Sequence, residues 1–376
     1  MGAAQQARLA RLRQRMVGSE VGGLAISAPS NIFYLSGFRG SSGALLITAD
    51  RAALLSDSRY RLQAREQAPD YDFIEIERRL FGRLGELARE WGVRRLGYEP
   101  GHLTCQRRTE LSEGLAALAL SEAEGSEARR EETAELTPAS LVEELRAVKS
   151  PEEVSCLRQA AALADQALWE MVALLRPGAT ERKIALAGEF RMRREGAEAA
   201  AFDLIVASGA HSALPHAETT ERELRRGDLV VVDIGARVDG YCSDMTRTFA
   251  VRSASAQAQE IYSLVYRAQR AGASAVMEGA VCGEVDAAAR GLISAAGYGE
   301  AFGHGLGHGV GIEVHEAPRL GGGEETRLAE GNVVTVEPGV YLDGVGGVRL
   351  EDMLLVEPAG AETLTGAVMG EELPVV

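Results

Sequence analysis

The chain has 376 residues, 46% hydrophobic and 25% charged, with a formal net charge of −15. That balance is globular and excludes a mainly disordered chain, a collagen-like chain and a disulfide mini-protein, while the length suits about two or three domains. The acidic surplus disfavours binding to nucleic acid or to an anionic membrane, and no run of about 18 apolar residues offers a membrane span.

The first residues, MGAAQQARLARLRQRM, are basic but lack the apolar core of a secretory signal. Leu9, Leu12 and Met16 fall at i, i+3 and i+7, which predicts a first surface helix. Residues 22–27, 44–50, 52–57 and 72–77 read as strands, and Arg59 to Gln67 and Leu80 to Trp91 as helices. This alternation predicts an α/β first domain. Residues 121–137 are charged and poor in large apolar side chains. They are read as the joint between two domains, 1–130 and 131–376.

Beyond Pro138 the sequence turns helical, with Pro151 opening a long helix and Pro177–Gly178 closing it. Residues 179–196 read as a further helix. Two β-rich stretches follow, Leu229 to Val251 and Asn332 to Glu357, with helices at 255–277 and 284–296 between them. This layout predicts an α+β second domain, and the likeness of the two stretches suggests an internal duplication. The only lysines, Lys149 and Lys183, are read as genome composition. Cys105, Cys156, Cys242 and Cys282 are widely spread, which suits a reduced, cytoplasmic chain.

The chemistry gathers in the second domain. Asp239–Gly240 between alternating apolar runs is a two-residue hairpin signal. With that turn, Asp244 faces Gly235, two residues from Asp233, so the aspartates share one face as diagonal neighbours. Asp233 interrupts the apolar run VVVDIG, and a buried carboxylate needs a partner such as a metal. Glu337 and Glu351 flank a second turn, Asp343 to Gly347, and are nearly opposed across it. Between the acid pairs lies GHGLGHGVGIEVHEAP, with His304, His308 and His315. Four carboxylates and a histidine suit Mn²⁺, Co²⁺ or Zn²⁺. Two such ions would polarise a carbonyl and activate a water. No lysine follows the glycines, which excludes a phosphate loop, and HGLGH lacks the glutamate and helix of a zincin.

LPHAETTERELRRGDLVVVDIGARVDGYCSDMTRTF, HGLGHGVGIEVHE, VEPGVY and RLED resemble the signature segments of the pita-bread metallopeptidases. SNIFYLSGF and LLSDSRY resemble the creatinase-like N-terminal domain of prolidases and aminopeptidase P. The resemblance implies a creatinase-like α/β domain followed by an α+β pita-bread catalytic domain. It implies two divalent ions, Mn²⁺ first and Co²⁺ or Zn²⁺ as alternatives, held by Asp233, Asp244, His308, Glu337 and Glu351. His216 and His315 match active-site histidines, and His304 a third near the leaving product. Ala217 stands where the family often has glycine.

By the same resemblance the reaction is hydrolysis of the bond before proline. Glu337 takes the proton of the nucleophile and helps pass one to the proline nitrogen. His216 and His315 stabilise the developing oxyanion, and Thr246 supports the acids from behind. Arg319, four residues after His315, resembles the arginine that binds a dipeptide's carboxylate, for which a guanidinium fork is suited. Arg39, in a glycine- and serine-rich loop expected at 33–43, is a second candidate, reaching a partner subunit's site in a homodimer. Tyr241 is a further substrate-contact candidate. These expectations favour an Xaa-Pro dipeptidase, with aminopeptidase P, acting on longer peptides, as the alternative. A non-catalytic binding protein of this fold is disfavoured, because all five ligand positions are filled.

Overall fold

The computed structural model describes residues 3–116 and 134–376. The chain divides into two compact units, Met1–Arg146 and Ala147–Val376.

The first unit is built on a six-stranded mixed sheet. Its strands in spatial order are Asp72–Glu75, Ala52–Ser56, Ala44–Thr48, Gly23–Ile26, Arg95–Tyr98 and Glu135–Pro138. Three central strands are buried along their whole length, which is why they read as continuous apolar runs. The helix Ala3–Gly18 buries Leu9, Leu12 and Met16, as their spacing predicts. Two expectations change here. Pro29–Ser36 is a helix started by its proline and stopped by Gly37 at φ 78°, so residues 33–36 are not part of a loop. The division between units falls after Arg146, because Glu135–Pro138 pairs in parallel with Arg95–Tyr98 and completes the first sheet. The expected joint at 121–137, with its boundary at 130, lies up to residue 133 outside the described residues.

The second unit begins with the helix Pro151–Val172, entered through a capping box. Ser150 Oγ accepts from the Glu153 N–H, and the Glu153 side chain accepts from the Ser150 N–H. Glu181–Arg194 follows, then four sheets among the described residues, two of them short and two built on longer strands. One orders the strands Met245–Ala250, Leu229–Ile234 and Ile205–Ser208. The other orders Glu316–Leu320, Gly307–Gly309, Val333–Val336, Asp352–Glu357 and Gly360–Thr363. The helices Ala256–Ala275 and Cys282–Ala295 bury an apolar face against Val334, Val336, Val348 and Leu354.

Two hairpins set the register of the acids. Asp239 and Gly240 have φ of 49° and 85°, the backbone of a tight type I′ turn. Pairing runs outward through Val238↔Tyr241 and Arg237↔Cys242 to Thr246↔Asp233, the register read from the sequence. The register puts Gly235 opposite Asp244, and nothing larger fits there: a Cβ would stand 2.1 Å from the Ser243 carbonyl oxygen. In the second hairpin Gly339↔Arg349 and Val336↔Asp352 keep a single register, which sets Glu337 against Glu351. Among the described residues no helix is long and apolar enough to cross a membrane.

Candidate active site

The two hairpins bring their acids to the floor of one cavity of about 630 Å³, a volume suited to a small peptide. Asp233, Asp244, Glu337 and Glu351 all line it. Asp244 and Glu351 are 5% and 2% exposed. Burial, then the neighbouring carboxylates, holds both well above the ordinary carboxylate range. Asp233 is raised by burial against the pull of Arg349.

His308 stands among the acids on the strand Gly307–Gly309. Its Nδ1–H donates to the Gly309 carbonyl at 3.1 Å, which leaves Nε2 facing Glu337 Oε1 at 3.2 Å and Asp244 Oδ2 at 3.7 Å. Burial depresses the imidazole pKa, but the Glu337 hydrogen bond and charge outweigh it and raise the value. Glu337 answers in kind: burial raises it, and His308 brings it below its ordinary value. A buried carboxylate kept ionised beside an imidazole can accept a proton.

The donor set fits a divalent cation. Asp244, His308 and Glu351 each offer a ligand atom, and these atoms lie within 4.8 Å of one another. Asp233 Oδ1 is buried and takes no hydrogen bond among the described residues. Hard carboxylate oxygens with one imidazole suit Mn²⁺, Co²⁺ or Zn²⁺. Thr246, fully buried, donates from Oγ1 to Glu351 Oε2 at 2.8 Å.

The rim carries the other candidates. His216, His304, His315 and Arg319 line the same cavity. The His315 ring lies 4.3 Å from that of His308, and burial and the nearby His308 lower its pKa. His304 donates from Nδ1 to the Gly305 carbonyl at 2.8 Å and accepts from the Tyr341 hydroxyl at 3.1 Å; burial keeps it below its ordinary value. Arg319 sits on the strand Glu316–Leu320, in register with His308. Arg39 belongs to the first unit, where its guanidinium lies 4.6 Å over the Phe33 ring.

One candidate moves away from the site. Tyr241 is 5% exposed and packs with Leu157, Val310 and Met353 rather than lining the cavity. Its hydroxyl donates to Glu153 Oε1 at 2.7 Å. In the pleat Tyr241 falls on the opposite side from Cys242 and Asp244, so a position near the turn does not aim it at substrate.

One buried arginine of the cavity is not evident from the sequence. Arg349, in the RLED segment, is 4% exposed and lines the cavity. It donates to Asp233 Oδ2 at 2.7 Å, Thr246 Oγ1 at 3.0 Å, the Pro215 carbonyl at 3.0 Å and the Tyr341 hydroxyl at 2.9 Å. An arginine preceding an acid in a strand is the only sequence signal for it, and three of its four acceptors come from other segments.

This is the donor chemistry of metal-dependent hydrolases. The model of metallopeptidase family M24 matches residues 155–358, and that of the creatinase/prolidase N-terminal domain matches residues 8–148. The chain belongs to metallopeptidase family M24 and is a peptidase, with a creatinase N-terminal domain ahead of a pita-bread catalytic domain. Bacillus subtilis peptidase YqhT is 39% identical over 359 residues, covering 95% of this chain and 97% of the relative. A structure of an Xaa-Pro dipeptidase from Bacillus anthracis is 37% identical, with a TM-score of 0.89 over 99% of this chain and 100% of that one. An X-Pro aminopeptidase from Thermotoga maritima is 33% identical, with a TM-score of 0.82 over 97% and 99%.

The placement of Tyr241 makes a testable distinction. Tyr241→Phe removes a buried hydrogen bond to a charged group, worth about 1.5–3 kcal/mol. The thermal midpoint should fall while kcat/KM on any substrate stays within twofold. A selective rise in KM with an unchanged midpoint would return Tyr241 to the substrate site.

Proposed function

We propose that this chain is an Xaa-Pro dipeptidase that uses two divalent cations, Mn²⁺ first among them. The observation that carries the proposal is the group Asp244, His308 and Glu351 on the floor of a cavity whose rim holds His216, His315 and Arg319. Asp233 and Glu337 would complete the ligand set, so that each hairpin would supply one pair of acids to hold the ions. When bound, such ions polarise the scissile carbonyl and acidify water.

The chain's own residues do the rest. Glu337 accepts a proton from the attacking water and delivers one to the proline nitrogen as the bond breaks. That nitrogen carries no hydrogen in the substrate, so selection of the bond rests on shape and on the groups either side of it. His216 and His315 donate to the oxygen on which negative charge develops. His304 lies where the proline product leaves, and Arg319 receives its carboxylate. Bidentate pairing favours a free carboxylate there, and a continuing amide leaves the guanidinium unpaired.

The likeness to an X-Pro aminopeptidase favours a second reading, removal of the first residue from longer peptides. A homodimer, with Arg39 and the loop around it reaching the partner's site, belongs to the proposal and is tested by molar mass from light scattering. No disulfide joins the cysteines among the described residues, which supports a reducing compartment and a cytoplasmic location.

Two sets of variants test this assignment. Asp244→Asn and His308→Ala should lose bound metal by elemental analysis while keeping the far-ultraviolet spectrum. His216→Ala and His315→Ala should keep the metal and lose about 10²–10³-fold in kcat. Asp244→Asn with full metal and normal turnover would sink the ligand assignment; a metal-free His315→Ala would mean that His308 and His315 have exchanged roles.

Substrate length is tested by hydrolysis of Ala-Pro beside Ala-Pro-Ala. Wild type should prefer the dipeptide. Arg319→Ala should lose about 10- to 150-fold in kcat/KM on it and little on the tripeptide. Equal wild-type rates on both would establish the aminopeptidase reading instead.

A further inference from the structure

The segment from Ser208 to Thr220 carries His216 and is fastened at both ends to one carboxylate. Glu181, in the first turn of the helix Glu181–Arg194, is fully buried. Its Oε1 accepts from the Ser208 N–H at 2.8 Å, from Ser208 Oγ at 2.7 Å, and from His211 Nδ1 at 3.3 Å. Its Oε2 accepts from the Thr220 N–H at 3.0 Å and from Thr220 Oγ1 at 2.6 Å. Hydrogen bonds to an ionised acceptor are shorter and roughly twice as strong as neutral ones.

The middle of the segment is tied down as well. Ser212 Oγ donates to the Gly209 carbonyl at 2.6 Å and accepts from the Gly347 N–H at 2.9 Å. The Pro215 carbonyl accepts from Arg349. Unlike His304 and His308, and like His315, His216 makes no hydrogen bond through its imidazole among the described residues. The ring's place is therefore inherited from the backbone on either side, and Glu181 joins those two sides.

We propose that Glu181 is a positioning residue for His216, holding the loop ends so that the imidazole meets substrate in one geometry. The inference rests on the reading of His216 as a group that contacts the transition state. A misplacement of about 1 Å at such a group can cost up to 10²-fold in rate. Glu181→Gln keeps the shape but replaces one acceptor oxygen with a donor, so one loop end loses its bonds.

A double-mutant cycle on Ala-Pro hydrolysis tests it, with Glu181→Gln, His216→Ala and the pair measured at saturating metal. Glu181→Gln should lower kcat by about tenfold with KM within twofold and metal content unchanged. The double variant should be no slower than His216→Ala alone, because the residue being positioned is already gone. Multiplying losses, or wild-type kcat in Glu181→Gln, would overturn the proposal while leaving the role of His216 intact. Wild-type turnover in His216→Ala would overturn both. If Glu181→Gln does not fold, Thr220→Val removes one hydroxyl bond to Glu181 and carries the same cycle with a smaller loss.

Discussion

Four carboxylates face one another in the cavity, and their mutual repulsion in a poorly hydrated site is the constraint that the second unit is built around. Burial and neighbouring acids raise Asp233, Asp244 and Glu351, while Glu337 is brought down by His308. Such a cluster persists only if the backbone leaves it no room to spread. Two hairpins supply that rigidity, each contributing one pair of acids in a register set by a tight turn. A divalent cation is the partner that turns the repulsion into binding energy, because it engages several oxygens at once.

Arg349 is the only guanidinium bonded directly to a floor carboxylate among the described residues, and its four acceptors connect the floor to the rim. Through Thr246 it reaches Glu351, through Tyr341 it reaches His304, and through the Pro215 carbonyl it touches the segment that carries His216. Breaking a buried ion pair by removing one partner costs about 3–5 kcal/mol, because the other charge stays buried and uncompensated. The site is therefore preorganised from two directions: Arg349 from inside the cavity, and Glu181 from behind the His216 loop.

The parts legible in the sequence are those whose cause is local. The Asp239–Gly240 turn dictates its own pairing, so the diagonal placement of Asp233 and Asp244 could be counted out from it. The helices expected at 255–277 and 284–296 span Ala256–Ala275 and Cys282–Ala295. What escaped depends on groups that meet only in three dimensions. Arg349 and Glu181 look like ordinary strand and helix-start charges until their acceptors and donors from distant segments are known. Tyr241 turns away from the cavity, because nearness to a turn says nothing of which face a side chain takes. Lys149, whose rarity suggests only composition, is buried and donates to Glu316 Oε2 at 3.3 Å, beside the cavity. The glycines after residue 36 suggest a loop from residue 33, but Pro29 starts a helix that includes residues 33–36.

The central claim, that these buried acids are a cation site, is tested most directly by the thermal unfolding midpoint of chelator-stripped protein as Mn²⁺ is added. A ligand that binds only the folded chain adds about 2.7 kcal/mol at a hundredfold excess over its Kd. The midpoint should therefore rise steadily with Mn²⁺ concentration and fall back when chelator is restored. A midpoint that stays constant across the whole titration, at concentrations up to the millimolar range, would contradict the account.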